Sequence, residues 1–162
     1  MAFNGRDDAT NFEIATAELF KEVFGFQARH VGPLGLTPDV LILSDQNGYQ
    51  AIIDNKAYSR YTISNDHRNR MVTNYINGLA NYSDSTNPLA FFTYISGGFG
   101  DTFNNQLRSI VDETHVNGSG ITASNVIRLA EEYEERNFTH ESIRSLLSVN
   151  RQVTLNDLET LQ

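Results

Sequence analysis

Pro38-Asp39 and Asp54-Asn55-Lys56 carry the groups best suited to chemistry, two carboxylates and an ammonium at the ends of apolar, β-rich runs. A pair of carboxylates suits Mg²⁺, a hard cation that takes one or two from a protein and leaves its other positions to water and phosphate oxygens. Such an ion supplies Lewis acidity for phosphodiester hydrolysis, neutralising phosphoryl charge and making water a better nucleophile. An adjacent ammonium can orient that water or stabilise charge developing on phosphate. The bland alternative is that Pro38 precedes Asp39 by chance and that Asp54 and Lys56 merely finish a strand.

The chemical reading requires particular elements. DVLILS and YQAIID, split by the turn-prone DQNG, read as two strands of a hairpin. Antiparallel pairing brings Asp39, at the start of the first strand, to the same end of the sheet as Asp54, at the close of the second. Side chains alternate along a strand, so Asp54 and Lys56 share a face while Asn55 points away and offers its backbone carbonyl as a third ligand.

Around the hairpin, residues 10–24 place Phe12, Ala15, Leu19, Phe20 and Val23 at helical spacing, with Gly25 as a stop. FQARHV reads as extended, and Gly32, Pro33 and Gly35 as a loop. A helix is predicted over 66–79, with Met71, Tyr75 and Leu79 on one side. LAFFTYIS at 89–96 is apolar nearly throughout, as a central strand covered on both faces would be, and Gly97, Gly98 and Gly100 end it. Helices near 102–113, 124–135, 140–148 and 155–161, with a short run at 118–122, complete the chain. The order implies an α/β fold with a central mixed sheet flanked by helices.

The 162 residues fit one domain, and 40% hydrophobic residues supply a real core. No apolar run is long enough to span a membrane, the N-terminus lacks the pattern of a secretory signal, and cysteine is absent, so a cytoplasmic location is expected. A net charge of −8 argues against a stand-alone nucleic-acid binder, since phosphate binding wants a basic face.

Beyond these residues the chain resembles the PD-(D/E)xK nucleases, specifically the cleavage domain of type IIS restriction endonucleases of the FokI kind. The resemblance runs through FEIATAELFKEVFGFQARHVG, TPDV, IIDNKAYS, FFTYISGGFGDTFNNQLRSIV and NGSGITASNVIRL, in the family's order and with similar spacing. It implies a restriction-endonuclease-like fold, cleavage of double-stranded DNA, and a catalytic Mg²⁺, with Mn²⁺ as a substitute, held by Asp39 and Asp54 while Lys56 positions water. It also points to Glu13, where the family has a glutamate on the first helix. A local reason for Glu13 stands beside this one, because Thr10-Asn11-Phe12-Glu13 reads as a capping box.

Family members pair two such domains through a helix bearing an acidic residue and an arginine one turn apart. Arg70 and Asn74 occupy those positions in ungapped register, a departure, although Asp66 and Arg70 could supply the pair one turn earlier or form an ordinary surface ion pair. No basic recognition helix, zinc pattern or RNA-binding aromatic run is present, so the chain reads as one cleavage domain over 1–162 that depends on a separate DNA-recognition domain or subunit. A non-catalytic or nicking subunit with the same fold is the rival reading. His30, His67, His115 and His140 lack zinc spacing; His30, beside Arg29, reads as a phosphate contact or an exposed strand end. Ser96-Gly-Gly-Phe-Gly reads as a turn and EEYEERN as a solvated helix face.

Overall fold

The computed structural model describes residues 6–32 and 35–162. The predicted hairpin forms: β2 (Val40–Ser44) and β3 (Tyr49–Lys56) pair antiparallel, from Val40 against Ile53 to Ser44 against Tyr49. Gly48 turns the chain between them at φ 65°, a left-handed conformation that glycine adopts without a Cβ penalty. β1 (Gln27–His30) adds antiparallel to β2. On the other side β4 (Leu89–Ser96), β5 (Asn117–Thr122) and β6 (Arg151–Gln152) add parallel, giving a six-stranded mixed sheet in the order β1-β2-β3-β4-β5-β6.

Parallel neighbours need crossovers, and helices supply them. α2 (Asn65–Asn69) lies between β3 and β4, α3 (Phe103–Thr114) between β4 and β5, and α4 (Ala123–Glu132) with α5 (His140–Leu147) between β5 and β6. α1 (Arg6–Glu22) precedes the sheet and α6 (Leu155–Glu159) follows it. Alternation divides the buried side chains into two layers. Val40, Ile42, Ala51, Ile53, Phe91 and Ile95 pack with α1, α4 and α5, whereas Ile52, Phe92 and Tyr94 pack with α3 and the segment after α2. β4, covered on both faces, therefore reads apolar almost throughout, as expected of a central strand, and β3 beside it is buried on both faces as well.

Two expectations change, and one strand was not predicted. α1 begins at Arg6, so Thr10 lies inside the helix and cannot cap it; the capping-box account of Glu13 fails because the helix starts a full turn earlier than its apolar periodicity does. The helix predicted over 66–79 starts as α2, capped by Ser64, then winds with π spacing from Arg70 to Ile76 and ends in a 3₁₀ turn at Leu79–Asn81. The wider winding turns Met71, Val72, Tyr75 and Ile76 inward, a broader face than a 3.6-residue period gives. β6 has only two residues, too few to show alternation in the sequence. Pro33, in the predicted loop, lies outside the described residues. No described helix is long and apolar enough to cross a membrane.

Candidate active site

With Val40 opposite Ile53, the next residues outward are Asp39 and Asp54. The Asp39 N–H donates to Asp54 Oδ1 at 3.3 Å, and the Asn55 N–H donates to Asp39 Oδ2 at 2.7 Å. Lys56 Nζ lies 2.7 Å from Asp54 Oδ2, with the two side chains 16% and 3% exposed. Asp39, Asp54 and Lys56 thus form one cluster, built by strand register.

The cluster is short of positive charge. Burial, then the Asp54 carboxylate, then that of Glu13 push the Asp39 carboxyl up to about 9; the Asn55 N–H and the Lys56 ammonium pull the other way without balancing them. Carboxylates gathered in a largely buried cluster with too few counter-charges form a donor set that a hard divalent cation would satisfy. No three carboxylate or imidazole groups among the described residues form a complete cage.

Asn55 contributes its backbone to this face. Its side chain turns to α1, as alternation requires, where Oδ1 lies 3.2 Å from Thr16 Oγ1 while Nδ2 is buried without a partner among the described residues. Thr16 Oγ1 also donates to the Phe12 carbonyl at 2.9 Å, and one proton cannot serve both. Turning the amide over lets Nδ2 donate to the threonine oxygen and leaves the hydroxyl proton to the Phe12 carbonyl, with the amide Oδ1 then the buried atom lacking a partner among the described residues. Either way α1 is registered against the strand that carries the cluster.

One turn earlier on α1, Glu13 reaches the cluster from the opposite layer. Its Oε2 is 3.0 Å from His30 Nε2, with both side chains about one-fifth exposed. A methyl group on Gly32 would stand 3.4 Å from Asp39 Oδ1 and 3.5 Å from Glu13 Oε2, so the two carboxylates flank the bare Gly32 backbone. His30 is therefore engaged by Glu13 rather than standing at an exposed strand end; Arg29, its neighbour, is exposed. Only the adjacency of α1 and β1 could have signalled the contact.

The far side of Lys56 is aromatic. Tyr61 is buried among Tyr58, Tyr94, Phe99 and Phe103, and its hydroxyl lies 2.9 Å from His67 Nδ1. Burial and the Lys56 ammonium hold His67 below its ordinary value, which favours a neutral imidazole accepting from the phenol. Tyr94, paired with Asp54 across β3 and β4, keeps a buried hydroxyl with no partner among the described residues. Neither tyrosine stood out in the sequence, where Tyr94 read only as part of an apolar central strand.

Other candidates resolve as structure. Ser96-Gly-Gly-Phe-Gly is a turn whose Gly98 carbonyl accepts from the Tyr61 N–H. In EEYEERN, Glu132 bonds Arg128 and Arg136, which hold its carboxyl below the usual range on a solvated face. Asp66 and Arg70 form an exposed i, i+4 pair at 3.2 Å. His140, 4% exposed, joins Ser44 Oγ and the Phe24 carbonyl and stacks on Phe26.

Comparison with known proteins places this geometry in context. The family model described as "FokI, cleavage domain" matches residues 1–154. A type II restriction enzyme, StsI from Streptococcus sanguinis, is 24% identical over 154 residues, covering 87% of this chain and 25% of its own length. Two solved structures of restriction endonuclease FokI superpose over 95% of the chain. One has a TM-score of 0.81 at 22% identity; the other, bound to DNA, has 0.77 at 24%. The chain spans 30% and 29% of those two proteins.

Proposed function

Because this chain belongs to the FokI cleavage-domain family, we propose that it is the metal-dependent cleavage domain of a type IIS restriction endonuclease, hydrolysing phosphodiester bonds of double-stranded DNA. The observation that carries the reading is the Asp39–Asp54–Lys56 cluster, set at one end of the sheet within a family match that runs through nearly the whole chain.

Asp39 and Asp54, with the Asn55 backbone carbonyl, would hold Mg²⁺ or, in its place, Mn²⁺. The ion would supply charge neutralisation at phosphate and a more acidic water. The chain's own residues do the positioning. The Asn55 N–H fixes the Asp39 carboxylate, and the Asp39 N–H fixes that of Asp54. Lys56 donates from the side of Asp54 and, released from that carboxylate, can hold a water or a phosphate oxygen in line for attack. Glu13 adds a further carboxylate beside Asp39.

Sequence specificity is assigned to a separate recognition domain or subunit. A net charge of −8 leaves the domain with little sequence-independent affinity for phosphate, so a tethered module would have to raise its local concentration on DNA. One cluster serves one strand, so double-strand cleavage calls for a homodimer, and the exposed pair of Asp66 on α2 with Arg70 just after it is available to its interface.

The test is incubation of the chain at high concentration with supercoiled plasmid, with and without Mg²⁺, beside Asp54→Ala. Linear product that needs Mg²⁺, rises more steeply than linearly with protein and vanishes in Asp54→Ala is the expected result. Nicked circles first order in protein would replace the dimer with a one-strand subunit. Absence of product even when the chain is fused to a foreign DNA-binding module would overturn the nuclease reading in favour of a non-catalytic subunit.

A further inference from the structure

Glu13 has three rotatable side-chain bonds and sits opposite a carboxylate that repels it. Left alone, it would lose little by swinging into solvent. Gly32 offers no side chain to confine it. What holds Glu13 Oε2 in place is the 3.0 Å contact with His30 Nε2.

His30 is well built for that task. It is the last residue of β1 and pairs with Val40, the residue after Asp39, so its backbone is tied to the strand that presents the carboxylate. Val40 packs in the α1 layer, and so alternation sends the His30 side chain toward α1 and Glu13. Thr16, one turn along α1 from Glu13, lies against Asn55, whose N–H holds the other oxygen of Asp39. The helix is thus fixed at one turn by Asn55 and at the next by His30.

We propose that His30 is the positioning residue for Glu13, turning its carboxylate toward Asp39 across Gly32 instead of contacting DNA itself. The inference rests on the reading of Asp39 and Asp54 as the cation site. Groups that orient a metal site from outside typically contribute tenfold to a hundredfold in affinity or activity, and the effect here passes entirely through Glu13.

The experiment is a double-mutant cycle in the 162-residue chain, with His30→Ala, Glu13→Ala and the double variant. Ca²⁺ binding is followed by calorimetry without turnover, Mg²⁺-dependent cleavage is measured in parallel, and thermal unfolding is run on each protein. His30→Ala and Glu13→Ala are expected to change Ca²⁺ affinity in the same direction by about tenfold, with the double variant no further from wild type than the worse single. His30→Gln, which retains a donor, should recover most of the loss. In cleavage, kcat should fall in His30→Ala while KM for DNA stays put. Independent, multiplying effects of the two substitutions would overturn the proposal. So would a His30→Ala phenotype confined to KM for DNA, the mark of a direct phosphate contact. Wild-type protein that binds no Ca²⁺, or Asp54→Ala that still cuts, would instead sink the underlying site reading.

Discussion

In the absence of metal, the stability of this domain should fall as pH rises through the neutral range, and Asp39 should be the cause. Its carboxyl sits near 3.8 when unfolded and is pushed up to about 9 in the folded chain by burial, Asp54 and Glu13. A group whose pKa is raised on folding stabilises fully below its unfolded value, and that contribution is lost as pH climbs toward the folded one. Throughout the interval the folded state holds one more proton, which corresponds to about 1.4 kcal/mol per pH unit. Below neutrality His67 opposes this slope. Its folded value is lowered, so its contribution is present above the ordinary histidine value and is lost as pH falls. The clean window is therefore from about pH 7 to about pH 8.5, where Asp39 alone should remove roughly 2 kcal/mol. Urea unfolding followed by circular dichroism at several pH values measures it directly. Asp39→Asn should flatten the slope, and saturating Ca²⁺ should do the same in wild type by replacing the proton with a cation. A flat wild-type profile, or an equal slope in Asp39→Asn, would refute the picture of an under-compensated carboxylate pair.

Lys56→Ala should abolish cleavage, by at least about 100-fold, and also cost roughly 3 kcal/mol in metal-free protein, because it strips the counter-charge from a carboxylate that is 3% exposed. Melts with and without Ca²⁺ check this, since the ion should restore most of the loss; a variant that melts and cuts like wild type would make the pair inert. Gly118→Ala drives a Cβ into the ring of Phe92, which has no exposed surface to move into, and should cost about 2 kcal/mol in urea unfolding. His140→Ala removes hydrogen bonds of 2.6 Å to Ser44 and 2.7 Å to the Phe24 carbonyl together with a stack at 3.8 Å on Phe26, for about 3 kcal/mol, and His140→Gln should recover part of it in the same assay.

Much of the fold was legible because its strongest signals are local. The hairpin, the apolar β4 and the periodicity of α1 each follow from residue order within one element, and the predicted pairing of Asp39 with Asp54 needed only a turn and antiparallel geometry. What escaped depends on contacts between elements. The start of α1 at Arg6 runs beyond its apolar face. The π winding after α2 answers to the packing of Met71, Val72, Tyr75 and Ile76. His30 and Glu13 are separated by the whole turn between α1 and β1, and the Tyr61 hydroxyl meets His67 from a segment with no periodicity of its own. His140, read from spacing as no zinc ligand, turned out to be a fully satisfied core histidine.

The cluster also depends on a register that the hydrophobic pattern leaves open. β3 is buried on both faces, so a slip of one residue would still bury apolar side chains while sending Asp54 and Lys56 into the α1 layer and Asn55 to the site. Polar groups exclude that slip. Gln50, 1% exposed, donates from Nε2 to the Ser85 and Asn87 carbonyls and accepts at Oε1 from Ser83 Oγ, partners found only on the face it occupies. Tyr49, on the other face, donates to the His140 carbonyl at 2.7 Å. Slipping the strand would strand the Gln50 amide and the Tyr49 hydroxyl without these partners in an apolar interior, at roughly 1–3 kcal/mol for each unsatisfied group. Two residues at the start of β3 thus fix where Asp54 and Lys56 stand at its end. The length of the intervening turn is free to vary, provided the pairing of Val40 with Ile53 is kept.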